Sequence, residues 1–201
     1  GKLGMDLSDA AGTLLCDVKA EDWSEEIMEK LELEKTIMPP VLKSVDNVGP
    51  VTDEAAEKTG LSTSTKIIAG GADNACGSVG SGIIKAGRVM ASLGSSGVVV
   101  AQTDKPEADP GGRIHLFNHA VPNSYYMMGV VLSAGMSFKW MKEEMFNDEL
   151  DFETLNKEAA AVEAGSDGLT FLPYLYGERT PHADADARGV FFGISGKHKR
   201  G

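Results

Sequence analysis

Eight of the chain's 24 glycines fall within 28 residues, at positions 70, 71, 77, 80, 82, 87, 94 and 97. Glycine has no Cβ, so a stretch this rich in it serves close approach and unusual backbone conformation rather than packing volume. The window has three parts. Residues 66–69 (Lys-Ile-Ile-Ala) read as a short buried strand running into Gly70-Gly71-Ala72-Asp73-Asn74. Residues 75–82 are almost all small, a poor free helix at ~1 kcal/mol per glycine against alanine. They are expected to form a helix packed closely against another backbone. Residues 88–93 and 98–103 then read as two strands joined by Gly94-Ser95-Ser96-Gly97, a hairpin signal.

Two features of this window could carry chemistry, and each has a plainer reading. A carboxylate at the C-terminal end of a strand, just before a helix, is a usual place for a catalytic group in an open α/β sheet. There Asp73 could accept a proton from a hydroxyl nucleophile, with Asn74 beside it able to donate and accept hydrogen bonds to a polyol. The plainer reading is that Asp73 caps a helix beginning at Ala75. A turn with two glycines and two serines suits a cluster of phosphate oxygens; the plainer reading is an ordinary hairpin.

The flanking sequence is mixed. Residues 22–33 are expected to be helical, with Asp22 and Glu25 in a capping-box pattern and Trp23, Ile27 and Leu31 on one face. Pro39-Pro40 forbids continuation. A second helix is expected from Thr52, with acids in its first turn and Gly60 as its stop. Strands are expected at 114–120 and 125–131 with Pro122-Asn123 between them. A helix should then start near Ser133, with Ala134, Phe138, Met141 and Met145 at helical spacing. Another should follow Asp151, with Leu155, Ala159 and Val162 on one face and Gly165 at its end. A last strand falls at 169–174. This order gives a mixed α/β class.

With 201 residues and a formal charge of −11, the chain fits one large domain or pieces of two. The negative balance argues against nucleic acid and against an anionic membrane surface, though not against a locally bound phosphate. Cys16 and Cys76 form no CxxC pair and read as buried small hydrophobes in a reducing compartment. No apolar run is long enough for a membrane helix, and no signal-peptide pattern opens the chain. His182, Asp184 and Asp186 fail the spacing of a calcium loop. His115 and His119 fall in an expected strand, where a helical zinc geometry cannot arise. No metal ligands are assigned.

Taken together, six segments resemble the FGGY family of carbohydrate kinases, and within it the kinases of pentuloses. They are SDAAGTLLCDV from Ser8, DWSEEIMEKL from Asp22, IIAGGADNACGSVGSG from Ile67, ASLGSSGVV from Ala91, GVVLSAGMSFKW from Gly129 and FLPYLYGERTPHADADARGVFFG from Phe171. The resemblance implies an actin-like ATPase fold with ribonuclease H-like halves. Residues 1–84 would be the end of the first, sugar-binding domain, and residues 85–201 the start of the second, nucleotide-binding one. It implies that Asp73 is the catalytic base, with Asp73 and Asn74 at the sugar. Gly94, Ser95, Ser96 and Gly97 would hold the ATP phosphates, and Gly135 and Lys139 would line the nucleotide site. Ser95 stands where relatives have threonine, and Lys139 where they often have glutamine. The implied substrates are D-xylulose and ATP, with Mg2+ as cofactor and a cytoplasmic setting. A homodimer of the parent enzyme is compatible with the sequence but not fixed by it. Absent are the family's first phosphate loop, its Met-His-Gly sugar segment and its adenosine motif. The chain, which starts at Gly1, is therefore expected to be the middle of a longer kinase, inactive by itself. Two alternatives stay open: a non-catalytic ATP-binding scaffold, and a kinase of another substrate such as ribulose or glycerol.

Overall fold

Local capping decides where several elements begin. The computed structural model describes residues 2–201. Its chain divides into two compact units, one of Gly1–Met90 with Val100–Met128 and one of Ala91–Val99 with Gly129–Gly201.

The first unit opens with β1 (Met5–Asp6) and the short helix α1 (Leu7–Ala10). The Asp6 side chain caps α1 by accepting the amides of Ser8 and Asp9. Strand β2 (Cys16–Asp17) pairs antiparallel with β3 (Asp22–Trp23). Helix α2 (Glu25–Lys30) follows, with Ser24 accepting the Ile27 amide. The expected helix over 22–33 is thus shorter. Trp23 is drawn into pairing with Cys16, and Ser24 rather than Asp22 takes the cap. The buried residue of α2 is Met28, whereas Ile27 and Leu31 are exposed. Leu7, Ala10, Cys16, Trp23 and Met28 form one core cluster.

Strand β4 (Val41–Leu42) runs parallel to β1, and β5 (Asn47–Pro50) pairs antiparallel with β6 (Lys66–Ile68). Between the latter two lies α3 (Asp53–Thr59), capped by Thr52 and ended by Gly60 at φ 76°, as its sequence leads one to expect. Helix α4 (Asp73–Gly80) follows β6. Two expectations are corrected here. All three residues of β6 are exposed, because one two-stranded ladder covers neither face. In α4 only Ala75 and Ser78 are buried, and a Cβ added at Gly77 or Gly80 would meet nothing within 4 Å. No second backbone packs on that face among the described residues. Cys76 on the same helix is exposed, against the expectation of burial, while Cys16 is buried.

A four-stranded sheet has the order β7 (Val89–Leu93), β8 (Gly97–Thr103), β10 (Tyr125–Val131), β9 (His115–Asn118). Strand β9 is shorter than expected. Beyond it His119 is buried, and its Nδ1 accepts the Val121 amide. Burial holds its imidazole below the usual histidine range, partly offset by a hydrogen bond with the Ile83 backbone.

In the second unit α5 (Gly135–Trp140) starts two residues later than expected and continues as a π-helical turn over Met141–Met145. That widened turn breaks the helical spacing, and Met145 is exposed. Helix α6 (Phe152–Ala160) is capped by Asp151, whose carboxylate accepts the Thr154 amide, and it buries Leu155. It ends before Val162, which is exposed. Strand β11 (Thr170–Leu172) pairs antiparallel with β12 (Val190–Phe192), the latter unforeseen. Among the described residues no helix is long and apolar enough to cross a membrane.

Candidate functional site

In the first unit the glycine pair after β6 is held on all sides. Gly70 takes φ 78° and donates its N–H to the Ser44 carbonyl at 3.0 Å. At Gly71 a Cβ would lie 3.1 Å from Ser8 Oγ, 3.2 Å from Ser44 Oγ and 3.3 Å from the Ala120 Cβ. The Ala72 N–H donates to Ser8 Oγ at 2.9 Å. Helix α4 begins on the next residue, so Asp73 stands at its first position.

Asp73 is not the cap. That place belongs to Ala72, which has no side chain to offer. The Asp73 carboxylate is exposed, and its Oδ1 accepts the amide of neighbouring Asn74 at 2.6 Å. Asn74 is half-buried; its carbonyl accepts the Ser78 hydroxyl at 2.7 Å. Its side-chain amide makes no hydrogen bond with any described residue, which leaves it open to a ligand. Negative charge gathers here. The buried Tyr126 phenol is held above the usual tyrosine range, first by desolvation and then by Asp73, Asp6 and Asp9. A carboxylate fixed at a helix start by its backbone, with its own oxygens uncommitted to a cap, can take a proton from a hydroxyl.

In the second unit the hairpin connector and the start of α5 are knitted together. The Gly94 carbonyl accepts the Gly135 amide at 2.9 Å, and the Ser95 carbonyl accepts those of Ala134 and Met136 at 3.0 Å. A Cβ on Gly135 would stand 2.5 Å from the Gly94 oxygen, and one on Gly97 would stand 3.3 Å from the Ala134 Cβ. Gly135 therefore provides approach; its amide is already taken. The two serines differ. Ser96 is half-buried and its hydroxyl donates to the Leu132 carbonyl at 3.0 Å. Ser95 is exposed, and its hydroxyl bonds to no described residue. Lys139 is exposed as well, 3.7 Å from Glu143 on the same helical face. The structure thus brings Gly94, Ser95, Ser96, Gly97 and Gly135 together, with Lys139 one turn on. Asp73 and Asn74 belong to the first unit.

Residues to which the sequence attaches no role of their own hold both places. Glu178 is buried, and its Oε1 accepts the Leu132 amide at 3.1 Å and the Arg179 amide at 2.7 Å. The Thr180 hydroxyl donates to the Val130 carbonyl at 2.8 Å and also accepts the Val130 amide. Ser8 and Asp6 do the same for the loop before Asp73. In the 182–186 loop the Asp184 carboxylate is taken up by the amides of Asp186 and Ala187.

Known proteins match the whole length of the chain. The model of the FGGY family of carbohydrate kinases, N-terminal domain, matches residues 1–80, and that of the same family's C-terminal domain matches residues 89–200. The chain belongs to the FGGY family of carbohydrate kinases. It has the actin-like ATPase fold of that family. Among its FGGY relatives, the xylulose kinase of Bacillus subtilis (strain 168) is 44% identical over 200 residues, all of this chain and 40% of the relative. The xylulose kinase of Lactococcus lactis subsp. lactis (strain IL1403) is 46% identical with the same coverage. The ligand-bound crystal structure of xylulose kinase from Lactobacillus acidophilus superposes with a TM-score of 0.92 at 32% identity, over all of this chain and 40% of that one. This FGGY chain thus spans about 40% of the length of the relatives it matches.

Proposed function

We propose that the complete protein carrying this chain is an ATP-dependent xylulose kinase, which transfers the γ-phosphoryl group of ATP to D-xylulose and yields D-xylulose 5-phosphate. The observation that carries the reading is the exposed Asp73 carboxylate, fixed at the first turn of α4 yet not serving as its cap. A scaffold that had lost turnover would not need it. The choice of sugar rests on the 44–46% identity with the two xylulose kinases. Within this reading residues 1–84 close the sugar-binding domain and residues 85–201 open the nucleotide-binding one. The interval between the ranges matched by the two family models, 80 and 89, supports that boundary. The setting is cytoplasmic.

Phosphoryl transfer asks the protein for positioning and charge stabilisation more than for covalent chemistry. Asp73 accepts the proton of the attacking terminal hydroxyl, and Asn74 hydrogen-bonds the sugar. The exposed Ser95 hydroxyl donates to an oxygen of the moving phosphate. Ser96, Gly97 and Gly135 keep that hairpin in place from behind, and Lys139 lies on the nucleotide side. The cation is Mg2+, which neutralises phosphate charge when bound with ATP. Such a cation would hold phosphate oxygens and waters with at most one or two carboxylates, which leaves the Asp73 carboxylate for the proton.

The test is Asp73→Asn in the complete kinase, which keeps the shape and removes the base. A positioned general base is worth ~10²–10⁴ in rate. The expected result is a kcat at least ~100-fold lower, with the KM for D-xylulose changed far less. A variant that keeps half of the normal kcat would overturn the assignment.

A further inference from the structure

We propose that Ser8 is a positioning residue for phosphoryl transfer, setting the place of Asp73 through the backbone of Ala72; this rests on the kinase reading above.

Ser8 lies 64 residues before Ala72, yet its hydroxyl is the acceptor for the Ala72 amide at 2.9 Å. The same hydroxyl donates to Asp6 Oδ1 at 2.5 Å. The chain of bonds has one direction. Asp6 can only accept, so it draws the Ser8 proton toward itself and turns the Ser8 lone pairs to the Ala72 N–H. Asp6 is in turn fixed, because the same Oδ1 accepts the amides of Ser8 and Asp9 at the start of α1. Ser8 is 2% exposed, so water cannot take over its role at little cost.

The position held is the one that matters. Ala72 is the last residue before α4, and Asp73 is the first in it. Nothing from the Ala72 side chain caps the helix. The entry of α4 is instead held by the Ala72 amide on Ser8, by the tight seat of Gly71 against Ser8, Ser44 and Ala120, and by the Cys76 thiol, which donates to the Gly71 carbonyl at 3.2 Å. Ser8 takes part in the first two contacts. A carboxylate that must meet a hydroxyl in line is sensitive to such seating, and a displacement of ~1 Å can lower a rate ~100-fold.

A double-mutant cycle in the complete kinase tests this, with Ser8→Ala and Asp73→Asn made singly and together. The expected result is a roughly tenfold loss of kcat in Ser8→Ala, with the KM for sugar within threefold of normal. Added to Asp73→Asn, the same change should cost less than twofold, because the group it positions is already gone. Equal losses in both backgrounds, or a folded Ser8→Ala enzyme with normal kcat, would overturn the proposal. Should Ser8→Ala not fold by circular dichroism, Asp6→Asn, which keeps shape and weakens the acceptor, is read by the same cycle with the same criteria. An Asp73→Asn variant with near-normal kcat would sink the assignment of the base and the Ser8 proposal together. Additivity alongside a 100-fold Asp73→Asn effect would sink only the latter.

Discussion

Two adjacent serines with the same chemistry are put to different uses. The Ser96 hydroxyl is spent on the Leu132 carbonyl, and the exposed Ser95 hydroxyl has no partner among the described residues. Alanine at each should separate the roles in the complete kinase. Ser96→Ala removes one internal hydrogen bond, with an expected loss of about 1 kcal/mol of stability, measured by denaturant unfolding. Ser95→Ala should leave stability unchanged and lower kcat, by up to ~3 kcal/mol of transition-state stabilisation. Ser95→Thr should be nearly silent, since the hydroxyl is kept. If Ala and Thr at position 95 give the same kcat, the hairpin does not hold the phosphate. At this scale the sequence was legible where the candidate groups are a few consecutive residues. Gly70 to Asn74 and Gly94 to Gly97 could be singled out because strand, turn and polar group are contiguous. It attached no role to Ser8 and Glu178, whose partners lie 64 and 46 residues away. No local spacing encodes such a contact. The distinction between Ser95 and Ser96 was hidden for the same reason, because Leu132 decides it.

Elements follow their caps more faithfully than their apolar periodicity. Helix α3 obeys Thr52 and Gly60, and α6 obeys Asp151. In α2 two candidate caps competed, and pairing of Trp23 with Cys16 settled the matter for Ser24. Apolar spacing misled wherever an element lacks a covering layer. Ile67 and Ile68 read as buried from their type, yet they are 44% and 49% exposed on a two-stranded ladder. The end of β10 shows how an element can be held by a distant loop instead. Glu178 and Thr180 grip Val130 and Leu132, and the Leu132 carbonyl then receives Ser96. Glu178→Ala would strip the acceptor from two amides at once. An unmet buried donor costs about 1–3 kcal/mol, so a loss of roughly 2 kcal/mol or more is expected, seen as a lower melting temperature. Because the β10 end supports the hairpin, the KM for ATP should rise as well. A variant with an unchanged melting temperature and an unchanged KM would show that the grip is not what seats the hairpin.

At the scale of the whole molecule, both units leave large apolar side chains without cover. The first unit has a defined cluster around Leu7, Cys16, Trp23 and Met28. Outside that cluster large apolar side chains are turned to solvent in both units, among them Leu14 at 81% and Leu93 at 86% exposed. Several sheets have only two strands, and such ladders are marginal in water unless something packs on them. Exposed strand edges beside apolar faces are templates for association. The 201-residue chain in isolation is therefore expected to self-associate, seen in light scattering as a mass well above 21.2 kDa. It is also expected to give no sugar-dependent ADP release with ATP, magnesium and D-xylulose. Asp73 and the Gly94–Gly97 hairpin are present in it, but catalysis by positioning needs both reactants held in line. The chain corresponds to 40% of the length of the xylulose kinases it resembles. A coupled ADP assay beside the scattering measurement decides the matter. A monodisperse monomer with turnover on the order of 1–100 s⁻¹, the usual range for kinases, would contradict both expectations. It would place a complete two-substrate site within these residues, and the exposed apolar positions would then be surface by design.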